Sequence, residues 1–306
     1  MESRPLQTPV ALLIFNRPET TARVFERVRR ARPPALLIVA DGPRPDRPDE
    51  ARRCREARAV VEAVDWPCEV STAYSDVNLG CGKRVSSGLD WVFDSVEQAI
   101  VLEDDCLPHP SFFPFCDELL ERYRSDERVM HISGDDFQSV GRTGRAAARA
   151  LRRLRGRRGP SYYFSRYPHV WGWASWRRAW RHYDFEMTAW RRDADQTALL
   201  EGFSDPAERA FWGRTWNQVS RGEIDTWDYQ WALACMRLGA LSAMPSANLI
   251  SNIGFAEGAH HTSAAETPLA NLPAPGIHFP LSHPETFALD ERADAQIARL
   301  FFGAAP

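Results

Sequence analysis

"AIVLEDDCLPHPSFF", Ala99 to Phe113, decides how this chain is read. An apolar run, Ile100-Val101-Leu102, stops at three consecutive acids, Glu103, Asp104 and Asp105. A Pro-rich turn and a phenylalanine pair follow. A short apolar run bounded by turn residues reads as a buried strand. Like charges side by side repel, so its end is either a solvated turn or the seat of something cationic. The "SFFPFCDELLERYR" stretch that comes next has helical spacing.

Working outward, the same alternation recurs. "PVALLIF" (Pro9 to Phe15), "ALLIVA" (Ala35 to Ala40), "CEVSTAY" (Cys68 to Tyr74), "AIVL" (Ala99 to Leu102) and "VMHIS" (Val129 to Ser133) read as strands. Helices are expected between them. The first, "RPETTARVFERVRRA", opens with Pro18 and carries Val24, Phe25 and Val28 on one face. Two more are expected over "PDEARRCREARAVVEAV" and "GKRVSSGLDWVFDSV". Strand-helix alternation predicts an α/β fold with a mainly parallel sheet flanked by helices. In the second half, helices are expected over "WASWRRAWRHY", "DPAERAFWGRTWNQVSR" and "WDYQWALACMRLG", then a strand "LSAMP" and a loop-rich tail.

With 306 residues the chain has room for ample core, and 44% hydrophobic with 26% charged residues is ordinary for a soluble globular protein. A formal charge of -3 argues against a nucleic-acid partner. Six cysteines without CxxC or zinc spacing fit buried small residues in a reduced, cytoplasmic chain. "MESRPLQTPV" lacks a secretory apolar region, and no run approaches a membrane span. "GRTGRAAARALRRLRGRRGP" (Gly141 to Pro160) holds eight Arg and no acid. It reads as a solvated mobile insertion, or as a dock for a phosphorylated acceptor or for anionic lipid head groups at the inner face of the membrane.

Ligands of open parallel sheets bind beyond the carboxyl ends of the strands. The segments found there are Asn16-Arg17-Pro18, Asp41-Gly42-Pro43, Asn78 to Lys83, Glu103-Asp104-Asp105 and Gly134-Asp135-Asp136. Arg17 and Lys83 can answer a diphosphate. Hard cations such as Mn²⁺ and Mg²⁺ take carboxylate and phosphate oxygens, which gives the acid triplet a use.

The stretch "IVLEDDCLPHPSFFPFCDELL" resembles the acidic metal motif of GT-A-fold glycosyltransferases, and is most similar to that of the N-acetylglucosaminyltransferase I family. "NRPETTARVFERV" resembles that family's first nucleotide-contacting turn and "ADGP" its uracil-contacting turn. "GWASWRRAW", "TWDYQW" and "IGFAEGAHH" resemble its Gly-Trp segment, its base-bearing segment and its closing loop. The likeness spans roughly residues 9 to 265. The chain is also similar to bacterial family-2-like transferases for surface polysaccharides. The Arg-rich insertion has no counterpart there.

The resemblance implies a GT-A-like fold: a nucleotide-sugar-binding half (1–140), the insertion (141–160) and an acceptor-binding, catalytic half of the same domain (161–306) with a Trp-rich helical character. It implies metal-dependent, inverting transfer from a nucleotide-diphosphate sugar, UDP-sugar favoured, to a glycan or lipid-linked hydroxyl. Asp105 is then the metal ligand, Glu103 its support, and Asp104 lies on the ribose side. Arg17, Asp41, Asn78 and Lys83 line the donor pocket, with Asp41 accepting from a base N–H. His261 is a candidate for phosphate or metal. The Gly134-Asp135-Asp136 corner differs from the family, and from its own residues it reads as a strand-end turn or as a second acid site in which Asp136 is a candidate for sugar hydroxyls.

Trp173, Trp176 and Trp180 stand at helical spacing and are expected on a core-facing helix. Trp171 and Trp227, beside Gly and Asp, are candidate stacking platforms for a sugar ring. The base should be a second-half acid other than the metal ligand. Asp184 and Glu223 read as solvated, and Asp225 as a cap ahead of "TWDYQW". Asp228, between Trp227 and Tyr229, is partly desolvated and falls on the family's base position. Two other readings are a sugar-nucleotide pyrophosphorylase, whose Gly-rich N-terminal loop "FNRPETTAR" lacks, and a degenerate carbohydrate-binding protein.

Overall fold

The structure, a computed structural model, describes residues 5–138, 140, 159–255 and 269–303. The five expected strands form as β1 (Val10–Ile14), β2 (Ala35–Ala40), β3 (Glu69–Tyr74), β4 (Gln98–Glu103) and β6 (Val129–Ser133). Every residue of β1 is buried, which is why its sequence is uniformly apolar rather than alternating. Between these strands run α1 (Pro18–Ala31), α2 (Glu50–Val61), α3 (Cys81–Ser95) and α4 (Phe112–Arg122). Thr21, Val24, Phe25 and Val28 give α1 its buried face.

Short β5 (Cys106–Pro108) follows the acid triplet, while β7 (Tyr162–Ser165), β8 (Trp173–Trp176) and β9 (Leu241–Pro245) complete an eight-stranded sheet in the order β3-β2-β1-β4-β8-β6-β9-β7. Pairing is parallel across β3-β2-β1-β4 and β6-β9, and antiparallel where β8 sits between β4 and β6 and where β7 closes the edge. This is the expected mainly parallel α/β class, built by strands from both halves of the chain. Outside it, β5 pairs antiparallel with β10 (Ile250–Asn252).

β8 corrects one expectation. Trp173 and Trp176 lie on a strand, and only Arg177–Trp180 is helical (α5). Spacing of three, helical on paper, puts strand residues on opposite faces. Trp173 duly meets Phe93, Trp180 and Trp231, whereas Trp176 donates from Nε1 to Leu120 O on α4. The remaining helices are α6 (Asp193–Glu201), α7 (Pro206–Ser220), α8 (Asp228–Arg237) and α9 (Glu291–Phe302). The tail is loop-rich as expected over residues 269–290, and the last of these helices ends it, capped by Asp290 Oδ1 accepting from Ala293 N at 2.9 Å. Trp190, Phe203, Trp212, Trp216 and Ile297 form a second core beneath the Trp-rich half. Among the described residues no helix is long and apolar enough to cross a membrane.

Candidate active site

The carboxyl ends of β1, β2, β4 and β6 meet at one edge of the sheet. Because β8 runs the other way, its leading residues Trp171 and Gly172 arrive there too; Gly134 N donates to Gly172 O at 2.7 Å. At the end of β4 the acid triplet is split by function. Asp104 is buried and turns inward, its Oδ2 accepting from Phe15 N at 3.0 Å. Asp105 faces the edge, where Arg17 Nη1 reaches its Oδ2 at 2.5 Å and stands 3.7 Å from Asp104 Oδ1. The triplet therefore already holds a cation: a guanidinium. Burial opposes the charge on Arg17, but Asp104 and Asp105 outweigh it and raise its pKa.

Burial first, then Asp105 and Asp104, then Asp228, push the Glu103 carboxyl well above its usual range, with Arg17 pulling the other way. That places Asp228, distant in sequence, in the electric field of the triplet. Asp228 opens α8, and its Oδ1 accepts from Thr226 Oγ1 and from Tyr229 N, the latter at 3.0 Å. Of the other base candidates, Asp184 caps its own turn through Thr188, and exposed Glu223 pairs with Arg221.

Asp41, at the end of β2, is buried and largely spent on the protein. Its Oδ1 accepts from Gly42 N at 2.9 Å and Leu79 N at 3.0 Å, and its Oδ2 from Asn78 Nδ2 at 2.9 Å. It braces the turn after β3 against the turn after β2. Burial raises its pKa, and the bonds from Leu79 and Gly42 partly offset this. Asn78 is thus part of that brace, while Lys83 is exposed in the first turn of α3. Asn16, buried under Arg17, donates to Glu50, which Arg44 clasps from the side, so the turn carrying Arg17 is held from below.

Asp136 is buried at the end of β6, with Oδ1 accepting from Gln138 N at 3.1 Å and Tyr163 OH at 3.3 Å. Its neighbour Asp135 accepts from His169 Nδ1 at 2.7 Å. Trp171 is partly buried between the rings of Phe137 and Phe255, at 5.3 and 5.7 Å. Trp227 is a correction. It is 3% exposed and stacks on Trp173 at 5.7 Å and 23°, so it is a core ring with no open face for a sugar. Cys81 corrects the cysteine reading: all six are free, but this one is exposed. His261 and residues 141–158 of the Arg-rich segment lie outside the described residues.

Two site features escaped the sequence. Asp225 does not cap α8; it crosses to the start of α3, accepting from Cys81 N at 3.0 Å and Gly82 N at 2.9 Å. Gly254, held by the β5-β10 ribbon, lies against Asp105, where a Cβ would fall 2.1 Å from Oδ2. The only available hints were the Gly-x-Gly of "GCGK" and the lone Gly of "NIGF".

The donor set fits a hard divalent cation. It is all carboxylate oxygen, and Arg17 stands in for positive charge at Asp105. Among the described residues no group of three or more His, Cys, Asp or Glu is arranged to hold a metal.

No family model and no curated protein matches this chain. Among solved structures it is similar to apo mouse xyloside xylosyltransferase 1, with 11% identity and a TM-score of 0.35 over 76% of this chain and 82% of that one. It is also similar to M. tuberculosis glucosyl-3-phosphoglycerate synthase, with 17% identity and a TM-score of 0.31 over 56% of this chain and 58% of that one. A third is the 4-diphosphocytidyl-2C-methyl-D-erythritol synthase of Anaerococcus prevotii, with 9% identity and a TM-score of 0.29 over 44% and 57%. The chain spans under two thirds of the length of the last two. These superpositions are slight, and the fold assignment rests on the strand order itself.

Proposed function

We propose that the chain is a glycosyltransferase, moving a sugar, hexosyl or N-acetylhexosaminyl, from a nucleotide diphosphate, UDP favoured, to a hydroxyl of a glycan or lipid-linked acceptor, with inversion. One juxtaposition supports the reading: the acid triplet, Arg17 and Asp228 come from three distant segments to one sheet edge. Synthesis of surface polysaccharide or glycolipid suits such an acceptor, and the Arg-rich segment would meet an anionic membrane face from the cytoplasm.

Asp105, supported by Glu103, would hold Mn²⁺ or Mg²⁺, which when bound neutralises charge on a departing diphosphate. Arg17 supplies fixed positive charge beside the same group. Asp228 takes the proton of the acceptor hydroxyl as that oxygen bonds to the anomeric carbon and the bond to the diphosphate oxygen breaks. Trp171, partly buried at the same edge, would stack on a sugar ring.

Asp228→Asn tests the assignment. Nucleotide binding with Mn²⁺, read by calorimetry, should persist, while transfer falls by about 10²–10⁴-fold. A variant transferring sugar at the wild-type rate would remove Asp228 from the mechanism. Formation of a nucleotide sugar from nucleoside triphosphate would instead indicate a pyrophosphorylase, and binding without turnover a carbohydrate-binding protein.

A further inference from the structure

Gly80-Cys81-Gly82-Lys83, at the head of α3, has the glycine spacing of a phosphate cradle, yet the protein fills that place itself. Asp225 puts one carboxylate oxygen on Cys81 N and the other on Gly82 N, two of the orphan donors of the helix, where a negative charge is favoured. Both glycines are required by this approach. Gly80 has φ +82°, and a Cβ there would lie 2.6 Å from Asp225 Oδ2. At Gly82 a Cβ would lie 2.6 Å from Thr226 O.

The contact continues toward the chemistry. Thr226 donates from Oγ1 to Asp228 Oδ1, and its carbonyl accepts from Gln230 Nε2 at 2.8 Å. On the other side, Leu79, next to Gly80, donates to Asp41. The geometry points to Asp225 as a positioning residue: its carboxylate clips the segment bearing Asp228 onto the head of α3, and so fixes the base relative to the donor edge. The inference rests on the transferase reading for its catalytic consequence, and on the hydrogen bonds alone for its structural one. Asp225 touches no reacting atom. Its loss should loosen a base that must sit within hydrogen-bond reach of a hydroxyl, and a misplacement of 1 Å costs about 10²-fold.

The experiment compares wild type with Asp225→Ala, Asp225→Asn and Gly82→Ala. In Asp225→Ala, kcat should fall about 10²-fold while the donor KM stays within about twofold. Asp225→Asn keeps one acceptor oxygen and should recover most of that loss. Gly82→Ala touches no charge and adds a good helix former, yet should reproduce the kcat loss by displacing Thr226. Amide hydrogen exchange needs no substrate: in Asp225→Ala, residues 226–229 should exchange faster together with Cys81 and Gly82. Faster exchange confined to residues 81–82, or a KM effect with kcat unchanged, overturns the inference. A wild-type protein that turns over no nucleotide sugar overturns the transferase reading instead, and exchange alone then decides the clip.

Discussion

Arg17 is the residue on which the acid triplet depends. Three acids at a strand end repel, and burial raises the cost of ionising Glu103 and Asp104; one guanidinium on Asp105 offsets part of it. Arginine suits the task because its delocalised charge is always present and its fork serves carboxylate and diphosphate alike. Arg17→Ala should weaken nucleotide diphosphate binding by roughly tenfold to a hundredfold, the worth of a charge-assisted hydrogen bond of about 1.5–3 kcal/mol. Arg17→Lys keeps the charge without the fork and should recover only part of it. An unchanged dissociation constant in calorimetry would take Arg17 out of the donor pocket. This residue and the triplet were legible in the sequence because each directly follows a recognisable buried strand. Asp225 was not, since its donors lie 144 and 143 residues away and spacing within a segment carries no trace of them. Trp227 misled for a related reason: neighbouring Asp and Thr suggested exposure, but Trp173 covers its face.

At the scale of elements, local signals worked where an element's stability is local. The helix expected over "DPAERAFWGRTWNQVSR" forms as α7, and Asp205 caps it, accepting from Ala207 N at 2.8 Å and Glu208 N at 3.1 Å, with Pro206 next. Asp205→Ala should cost about 1 kcal/mol of stability, and a denaturant melt checks it. A midpoint unmoved by that change would mean that burial of Trp212 and Trp216 alone holds the helix. β8 failed the same logic. Four residues cannot separate a period of 3.6 from one of 2, and "WASW" becomes a strand because β4 and β6 each offer it a ladder. The short ribbon of β5 and β10 was invisible for the same reason: its partners are far apart in the chain.

Across the whole molecule, stability depends on a buried polar contact in the main core. Trp231 Nε1 donates to His131 Nδ1 at 3.1 Å, so the His131 proton sits on Nε2 and is given to His169 O at 2.8 Å. Burial first lowers the His131 pKa to about 3, so the folded chain keeps it neutral. The unfolded chain takes up this proton near pH 6.5. Below that the unfolded state binds more protons, and His131 alone removes about 1.4 kcal/mol of stability per pH unit until pH approaches 3. Asp294, raised to about 6 chiefly by burial, acts in the opposite sense between pH 6 and its unfolded value near 3.8, because the folded chain holds its proton more tightly. Comparing wild type with His131→Gln isolates the histidine: their stability difference should change in the variant's favour as pH falls from 7 to 4. A difference independent of pH would mean that the folded chain protonates His131 as readily as the unfolded chain does.

The antiparallel strand β8 also decides what can be engineered here. Among the described residues, no seam separates the two halves of the chain in this sheet. Cutting after the first 140 residues would leave β4 with a bare, flat, apolar edge where Trp173 to Trp176 had paired, and β6 without either neighbour. Such an edge templates aggregation. On the proposed transferase reading, new specificity is better sought by changing side chains around Trp171 than by recombining fragments, because strands from both halves of the chain are woven into one ladder.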